Sequence, residues 1–315
     1  MTTPLELGAI RAAGKPAVAR ALAAIETAGG IARHAALLDA CVAEPGGHVL
    51  GLTGPPGVGK STLTNALVRH VRARGETLGV IAVDPSSRVT RGALLGDRTR
   101  LKTDPDDRGI FVRSMAARDR LGGLSDHAVG AVALMQAVYD RVIVESVGIG
   151  QSEADVATVA DTVVLCIQPG SGDSLQFMKA GVMEIPDVVV VTKADTGAPA
   201  RRAAADVEGA LSLAVRAADA LVPPVLTVSS TAGTGLDALL EAVERHRAWT
   251  TDPVRADRLR AARFRHWVAD AVKVGFGTAG LALVDLDRAL EAAAGPFGAV
   301  AAETAALARR LEMGR

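Results

Sequence analysis

The sequence predicts an α/β fold, with a mostly parallel sheet flanked by helices and with helical extensions at both ends of the chain. Two observations support this prediction. Short apolar runs alternate with helical stretches between residue 46 and about residue 248, as expected for strands buried on both faces. A glycine-rich segment directly follows the first run. The expected strands are 48–53, 78–83, 141–147, 162–167, 188–192 and 225–228.

The glycine-rich segment at 54–61 has the G-x-x-x-x-G-K-[ST] pattern of a P-loop. Small residues let backbone N–H groups turn toward the phosphates of a nucleotide, and the following helix adds the positive end of its dipole. Lys60 can then reach the β- and γ-phosphates, and Ser61 can ligate magnesium. The predicted phosphate-binding residues are Gly54, Pro55, Pro56, Gly57, Val58, Gly59, Lys60, Ser61 and Thr62.

The composition is that of an ordinary globular protein. The chain has 35 Lys or Arg and 35 Asp or Glu residues, so its zero net charge gives no electrostatic reason to expect a nucleic-acid or membrane partner. Cys41 and Cys166 stand far apart among apolar residues, which indicates free thiols in a reducing cytosol. The first residues lack the pattern of a signal peptide, and no apolar run approaches the roughly 18 residues of a membrane helix. We therefore expect a cytoplasmic protein.

A second motif indicates which base is bound. Residues 192–195, Thr-Lys-Ala-Asp, match the guanine-recognition pattern [NT]-K-x-D at the end of the fifth expected strand. The Asp195 carboxylate can accept hydrogen bonds from guanine N1–H and the exocyclic amine, whereas adenine has no donor at N1, and such sites discriminate by roughly 10⁴-fold. The aliphatic stem of Lys193 can lie along the base. GTP/GDP is therefore the expected ligand. The predicted base-site residues are Thr192, Lys193, Asp195, Ser229, Ser230 and Thr231.

A third element closes the strand expected at 141–147. The Glu145 carboxylate can hold the water shell of Mg²⁺, and the N–H of Gly148 can contact the γ-phosphate. Most GTPases have Asp where this chain has Glu145, and the longer side chain suggests contact through water. Asp84 also fits an ordinary turn before proline. The expected metal ligands are Ser61, Asp84, Asp97 and Glu145, and the expected catalytic residues are Lys60, Asp97, Glu145 and Gly148.

Ile149 follows Gly148, at the place where small GTPases have a water-orienting glutamine. The next glutamine is Gln151. Because isoleucine has no hydrogen-bonding group in its side chain, it cannot position the attacking water. We expect slow intrinsic hydrolysis, about 10⁻⁴ to 10⁻² s⁻¹, which a partner protein would accelerate.

Taken together, these segments resemble the MeaB/ArgK family of P-loop GTPases over most of the chain. The resemblance rests on residues 54–62, 83–87, 96–100, 145–153 and 192–195. It implies a homodimeric GTPase that chaperones the adenosylcobalamin-dependent methylmalonyl-CoA mutase or a related acyl-CoA mutase, with hydrolysis gating cofactor loading or protection. In that family, phosphate- and magnesium-site positions correspond to Lys60, Ser61, Asp84, Asp97 and Glu145.

The order of helical and apolar segments predicts a domain organisation, and the resemblance adds the expectation of a homodimer. We expect an N-terminal helical extension at 1–44, a P-loop GTPase domain at 45–250 and a C-terminal helical dimerisation region at 251–315. A stripe of apolar residues at helical spacing in the last region could form either core or interface. Its members are Phe264, Trp267, Val268, Ala271, Val272 and Phe276. The chain departs from the family in two places. In residues 172–181, which resemble the family's partner-sensing switch, Phe177 replaces Gly and Ala180 replaces a basic residue, which leaves the identity of the mutase open. In the guanine loop, Ser230 stands where Ala is common, which is a mild change.

Two other functions are compatible with a P-loop. A nickel-type metallochaperone GTPase would need soft or imidazole ligands close together, but the 6 histidines are scattered and no Cys-x-x-Cys occurs. A protein kinase, the activity in the family's older name, would need an acceptor pocket and a base, for which Asp97 is a candidate. The Asp-x-His-x-x-Gly pattern of cobalamin binding is missing, so the chain is not expected to bind cobalamin by itself.

Overall fold

The computed structural model of the protein describes residues 5–85, 103–104, 106–117, 124–146, 152–170, 184–213 and 220–313. The chain forms two compact units. The sheet unit comprises residues 48–125 and 140–251, and the helical unit comprises residues 1–47, 126–139 and 252–315. Residues 126–139, which lie inside the expected segment 45–250, therefore belong to the same unit as the helices from both ends of the chain. The expected boundaries near residues 44 and 250 stay a prediction.

The described strands are β1 His48–Thr53, β2 Leu78–Pro85, β3 Ile110–Ala117, β4 Arg141–Glu145, β5 Thr162–Ile167, β6 Val188–Val191 and β7 Val225–Thr227. The described helices are α1 Leu7–Ala13, α2 Lys15–Ile25, α3 Gly30–Arg33, α4 Ala35–Ala43, α5 Lys60–Ala73, α6 Asp126–Val138, α7 Ser152–Ala157, α8 Ala198–Ser212, α9 Leu236–Thr250, α10 Pro253–Leu281, α11 Leu286–Ala292 and α12 Pro296–Met313. A 3-10 turn covers Ala194–Thr196.

Within the described residues the strands form one seven-stranded sheet in the order β3-β2-β4-β1-β5-β6-β7, and every pairing is parallel. Every residue of β1, β5 and β6 is buried. Leucines of α5 and α9 cover one face, among them Leu63 and Leu239, which pack in one core with Leu52 of β1. The predicted α/β fold with a parallel sheet is confirmed. Because the strands are parallel, their carboxyl ends lie along one edge of the sheet.

All six expected strands are present, but strand β3 was not predicted. It is one of the two edge strands of the described sheet and pairs with β2. Arg113 and Ser114 interrupt its apolar pattern, and residues 111–114 are only partly buried. An edge strand exposes much of its length, so its sequence does not need the continuous apolar run that marks the central strands.

The helical unit is held together by contacts between residues far apart in sequence. A side chain at Gly130 of α6 would place its Cβ 2.8 Å from Cδ1 of Ile31, so the glycine permits close packing. Asp39 of α4 is 5% exposed, and its carboxylate accepts hydrogen bonds from the N–H groups of Phe297 and Gly298, both at 2.9 Å. Desolvation raises the pKa of Asp39 above its ordinary value. Asp39 of α4 thus caps the first turn of the last helix, α12.

The apolar stripe of α10 belongs in part to the core of the helical unit. Val268 and Val272 are fully buried and pack against α11 and α12. Trp267 lies against Phe297, with the ring centroids 5.8 Å apart. These contacts support the core interpretation of the stripe for the residues that make them. None of the described helices is both long and apolar enough to cross a membrane.

Two features of the sheet unit concern buried titratable groups. Cys166 is a buried free thiol, as predicted, and desolvation raises its pKa to about 12.

At the amino-terminal edge of the sheet, His48 is 4% exposed, and its Nε2 lies 2.8 Å from Oγ1 of Thr162. The same hydroxyl lies 2.8 Å from Nδ1 of His246, whose Nε2 is 3.1 Å from Asp187. These contacts form a chain that runs from His48 through Thr162 and His246 to Asp187.

Burial lowers the pKa of His48 from 6.5 to about 4, so the folded protein binds this proton more weakly than the unfolded chain. The contribution of neutral His48 to the free energy of unfolding is therefore complete above pH 6.5. It is lost as the pH falls from 6.5 toward 4. When the pH is lowered from about 7 to about 5, we expect the titration of His48 alone to lower the free energy of unfolding by about 2 kcal/mol. Urea titrations of wild type and His48→Gln at both pH values measure it, because glutamine does not titrate. Equal pH dependence of the two proteins would contradict the lowered pKa.

Candidate nucleotide site

Residues 54–59 connect β1 to α5 at the carboxyl edge of the sheet. Gly54, Gly57 and Gly59 have φ of 132°, 76° and 103°, a region that strongly favours glycine. Gly54 also lacks room for a side chain, since a Cβ there would lie 2.2 Å from the carbonyl oxygen of Cys166. Helix α5 begins at Lys60, so the N–H groups of its first turn lie at the end of this loop. The predicted loop thus has the backbone geometry that binds phosphate.

Lys60 is only 6% exposed. Its ammonium donates hydrogen bonds to the carbonyl oxygens of Gly54 at 2.7 Å and Pro55 at 3.0 Å. Because a buried charge is costly unless it is paired, these carbonyls fix the ammonium against the loop. The side chain therefore places one positive charge at the loop, and its contact with the phosphates of a nucleotide stays a prediction.

Glu145, at the end of β4, is 6% exposed and contacts helix α5 through both carboxylate oxygens. Ser61 donates a hydrogen bond from Oγ to Oε1 at 2.6 Å. Oγ1 of Thr64 lies 3.0 Å from Oε2 and 3.1 Å from the carbonyl oxygen of Lys60. The structure brings the predicted residues Ser61 and Glu145 together, and it adds Thr64, which the sequence reasoning missed. The available signal was its position three residues after Ser61, on the same helix face.

The hydroxyl of Ser61 and the carboxylate of Glu145 lie side by side and offer two kinds of oxygen ligand. Mg²⁺ prefers oxygen ligands, so this pair fits a magnesium site. The backbone of Asp84 lies at the same sheet edge, since Ala82 of β2 is in register with Glu145. Among the described residues, no group of three or more His, Cys, Asp or Glu side chains is arranged to hold a metal ion. The side chain of Asp84 lies outside the described part of the structure, and so do Asp97, Gly148, Ile149, Phe177 and Ala180.

The [NT]-K-x-D motif follows β6, beside the P-loop. Thr192 is 3% exposed, and its Oγ1 lies 2.7 Å from the carbonyl oxygen of Val58 and 3.0 Å from that of Ile167. Lys193 has φ 56° and ψ 42°, the single positive φ among the described non-glycine residues. Its ammonium donates to Oε1 of Gln168 at 2.5 Å and lies 3.4 Å from the carbonyl oxygen of Gly57. Side chains of the motif therefore contact the P-loop directly.

Asp195 is joined to the loop that follows β7. Oδ1 of Asp195 accepts a hydrogen bond from Oγ of Ser229 at 2.6 Å, and this bond is the main cause that lowers the pKa of the carboxyl group. Ser229 is 1% exposed, and its Oγ lies 3.1 Å from Oγ1 of Thr231. The N–H of Ala194 also donates to the carbonyl oxygen of Val228 at 3.2 Å. The structure thus brings together the two segments that the sequence assigned to the base.

Comparisons with known proteins agree with this geometry. Residues 18–276 match the family model described as methylmalonyl Co-A mutase-associated GTPase MeaB. The GTPase ArgK of Escherichia coli is 38% identical over 244 residues, which cover 75% of this chain and 74% of that protein. A mouse protein named methylmalonic aciduria type A homolog, mitochondrial, is 40% identical over 190 residues, 59% of this chain and 46% of that protein.

A solved structure described as LAO/AO transport system kinase has a TM-score of 0.70 and 28% sequence identity to this chain. The match covers 91% of this chain and 88% of that structure. The resemblance that the sequence suggested is thereby confirmed, and the chain belongs to the MeaB family of P-loop GTPases.

Proposed function

We propose that the protein is a Mg²⁺-dependent GTPase that acts as a chaperone for an adenosylcobalamin-dependent acyl-CoA mutase of the methylmalonyl-CoA mutase type. GTP hydrolysis would gate the loading or protection of the mutase's cofactor. The observation that carries the GTPase part is the contact between the P-loop and the [NT]-K-x-D segment, through Thr192 and Lys193. The family description and the name of the mouse relative support the mutase as partner.

The described side chains have distinct tasks in this proposal. The ammonium of Lys60 and the first N–H groups of α5 bind the phosphates of GTP. Ser61 and Glu145 would hold Mg²⁺, directly or through water, and Asp84 and Asp97 are proposed to complete its surroundings. When bound, the ion neutralises charge on the phosphate oxygens. Water would attack the γ-phosphorus while the bond from this phosphorus to the β–γ bridging oxygen breaks, and the products are GDP, phosphate and a proton.

The base would lie between the two segments joined by Asp195 and Ser229. The carboxylate accepts hydrogen bonds from guanine N1–H and the exocyclic amine, and the stem of Lys193 lies along the ring. Ser230 and Thr231 belong to the loop proposed to face guanine O6. Because the hydrogen bond from Ser229 already fixes one carboxylate oxygen, little rotamer freedom is lost when the base binds.

We also propose that intrinsic hydrolysis is slow and that the mutase accelerates it, since Ile149 replaces a water-orienting residue. Lys60, Asp97, Glu145 and Gly148 are the proposed catalytic residues. A homodimer, a cytoplasmic location and the absence of nucleic-acid and membrane partners complete the proposal. The balanced charge supports the last point.

Hydrolysis of γ-labelled GTP by the full chain, alone and with apo methylmalonyl-CoA mutase, tests this function. Without the mutase we expect turnover below about 10⁻² s⁻¹, and with it an increase of at least about tenfold. Label released as phosphate supports a GTPase, whereas label transferred to protein would show a kinase. A rate without the mutase above about 1 s⁻¹ would contradict the slow intrinsic step. Failure of the mutase to bind or stimulate the protein would exclude it as the partner.

A further inference from the structure

We propose that Gln168 is a positioning residue of the nucleotide site. Its side-chain oxygen holds the ammonium of Lys193 and so fixes the wall that Lys193 forms along the base. This inference rests on the proposed guanine ligand, and it assigns a role to a residue outside the recognised motifs. The contact that carries it is the 2.5 Å hydrogen bond from Nζ of Lys193 to Oε1 of Gln168.

The sheet brings these two residues together. Gln168 directly follows β5, and Lys193 follows β6 by two positions. The two strands are adjacent and parallel, with Ile167 in register with Val191. The N–H of Thr192 also donates to the carbonyl oxygen of Ile167 at 2.8 Å, which continues the pairing past the end of β6. The two chains therefore leave the sheet side by side.

The backbone of Lys193 is fixed independently of Gln168. Oγ1 of Thr196 donates to its carbonyl oxygen at 2.8 Å, and the next residue, Ala194, donates its N–H to Val228. The side chain, however, has four rotatable bonds and lies on the surface. Its described acceptors are Oε1 of Gln168 at 2.5 Å and the carbonyl oxygen of Gly57 at 3.4 Å. The shorter contact sets the direction of the side chain.

The consequence for ligand binding follows from the different tasks of Lys193 and Asp195. Asp195 recognises the edge of the base by hydrogen bonds, and Lys193 covers a face of the ring. Loss of the Gln168 oxygen should loosen the covering side chain while the Asp195–Ser229 pair stays in place. We therefore expect weaker binding of guanine nucleotides without a change in the preference for the exocyclic amine.

Calorimetric titration of the full chain with GDP and IDP tests the inference, because inosine lacks the exocyclic amine. We expect Gln168→Ala to weaken GDP binding about fivefold, the scale of a lost hydrogen bond to an exposed charged group. The ratio of GDP to IDP affinity should stay as in the wild type. Gln168→Glu keeps an oxygen acceptor for the ammonium and should restore GDP binding to within about twofold. Gln136→Ala, the same change in the helical unit, is the matched control and should bind GDP as the wild type does.

A double-mutant cycle separates positioning from a general structural role. If Gln168 acts through Lys193, Gln168→Ala should have no further effect in the Lys193→Ala background. An unchanged fivefold loss in that background, or wild-type affinity of Gln168→Ala itself, would overturn the inference. A wild-type protein that binds no guanine nucleotide would instead refute the proposed function, so the two failures are distinguishable.

Discussion

Asp195→Asn is expected to weaken GDP binding by about 10³-fold or more and to make XDP the better ligand. The asparagine oxygen can still accept the hydrogen bond from Ser229, so the loop after β7 should keep its position. The new amide N–H group, however, faces the exocyclic amine of guanine, and two donors then oppose each other. Xanthine has a carbonyl oxygen at that place, which accepts from the amide.

Calorimetric titrations of the variant with GDP and XDP measure this change. Asp237→Asn is the matched control, since Asp237 is an exposed residue of α9 that pairs with His70, and it should leave GDP binding unchanged. If Asp195→Asn kept its GDP affinity within about tenfold, this carboxylate would not recognise the base edge. The proposed preference for GTP would then lose its main physical basis.

The sequence predicted those parts of the site whose residues are adjacent in the chain. The P-loop and the [NT]-K-x-D segment each carry their chemistry in a few consecutive residues, so a local pattern is enough to identify them. The central strands were also predictable, because burial on both faces requires continuous apolar runs. Ser61 and Glu145 were both assigned to the magnesium site, one from the P-loop pattern and the other from its place at the end of a strand, and the structure places their side chains 2.6 Å apart.

Contacts between residues far apart in the chain were not predictable in the same way. Thr64 and Gln168 contact the predicted site residues Glu145 and Lys193, and a single threonine or glutamine belongs to no motif of its own. The grouping of α6 with the terminal helices depends on contacts such as that of Gly130 with Ile31. A glycine in a helix indicates either reduced stability or close packing, and only the neighbouring helix distinguishes them.

Glu145→Gln is expected to lower GTP hydrolysis by about 10² to 10³-fold and to remove most of its response to Mg²⁺. Glutamine has the same shape as glutamate, so Ser61 can still donate to its side-chain oxygen. Its amide nitrogen can donate to Thr64, whose hydroxyl then donates to the carbonyl oxygen of Lys60. The hydrogen-bonded arrangement should survive, and the change that remains is the loss of one negative charge at the proposed Mg²⁺ site.

Hydrolysis measured over a range of Mg²⁺ concentrations, and after removal of the ion with EDTA, checks this expectation. Thr64→Val is the informative control, because it removes one contact to Glu145 but keeps the charge. It should lower activity by about tenfold or less and retain the dependence on Mg²⁺. If both variants lost the same activity, the position of the carboxylate would matter more than its charge. A wild-type Mg²⁺ response in Glu145→Gln would mean that Glu145 has no part in holding the ion. The negative charge beside the ion would then come from other residues.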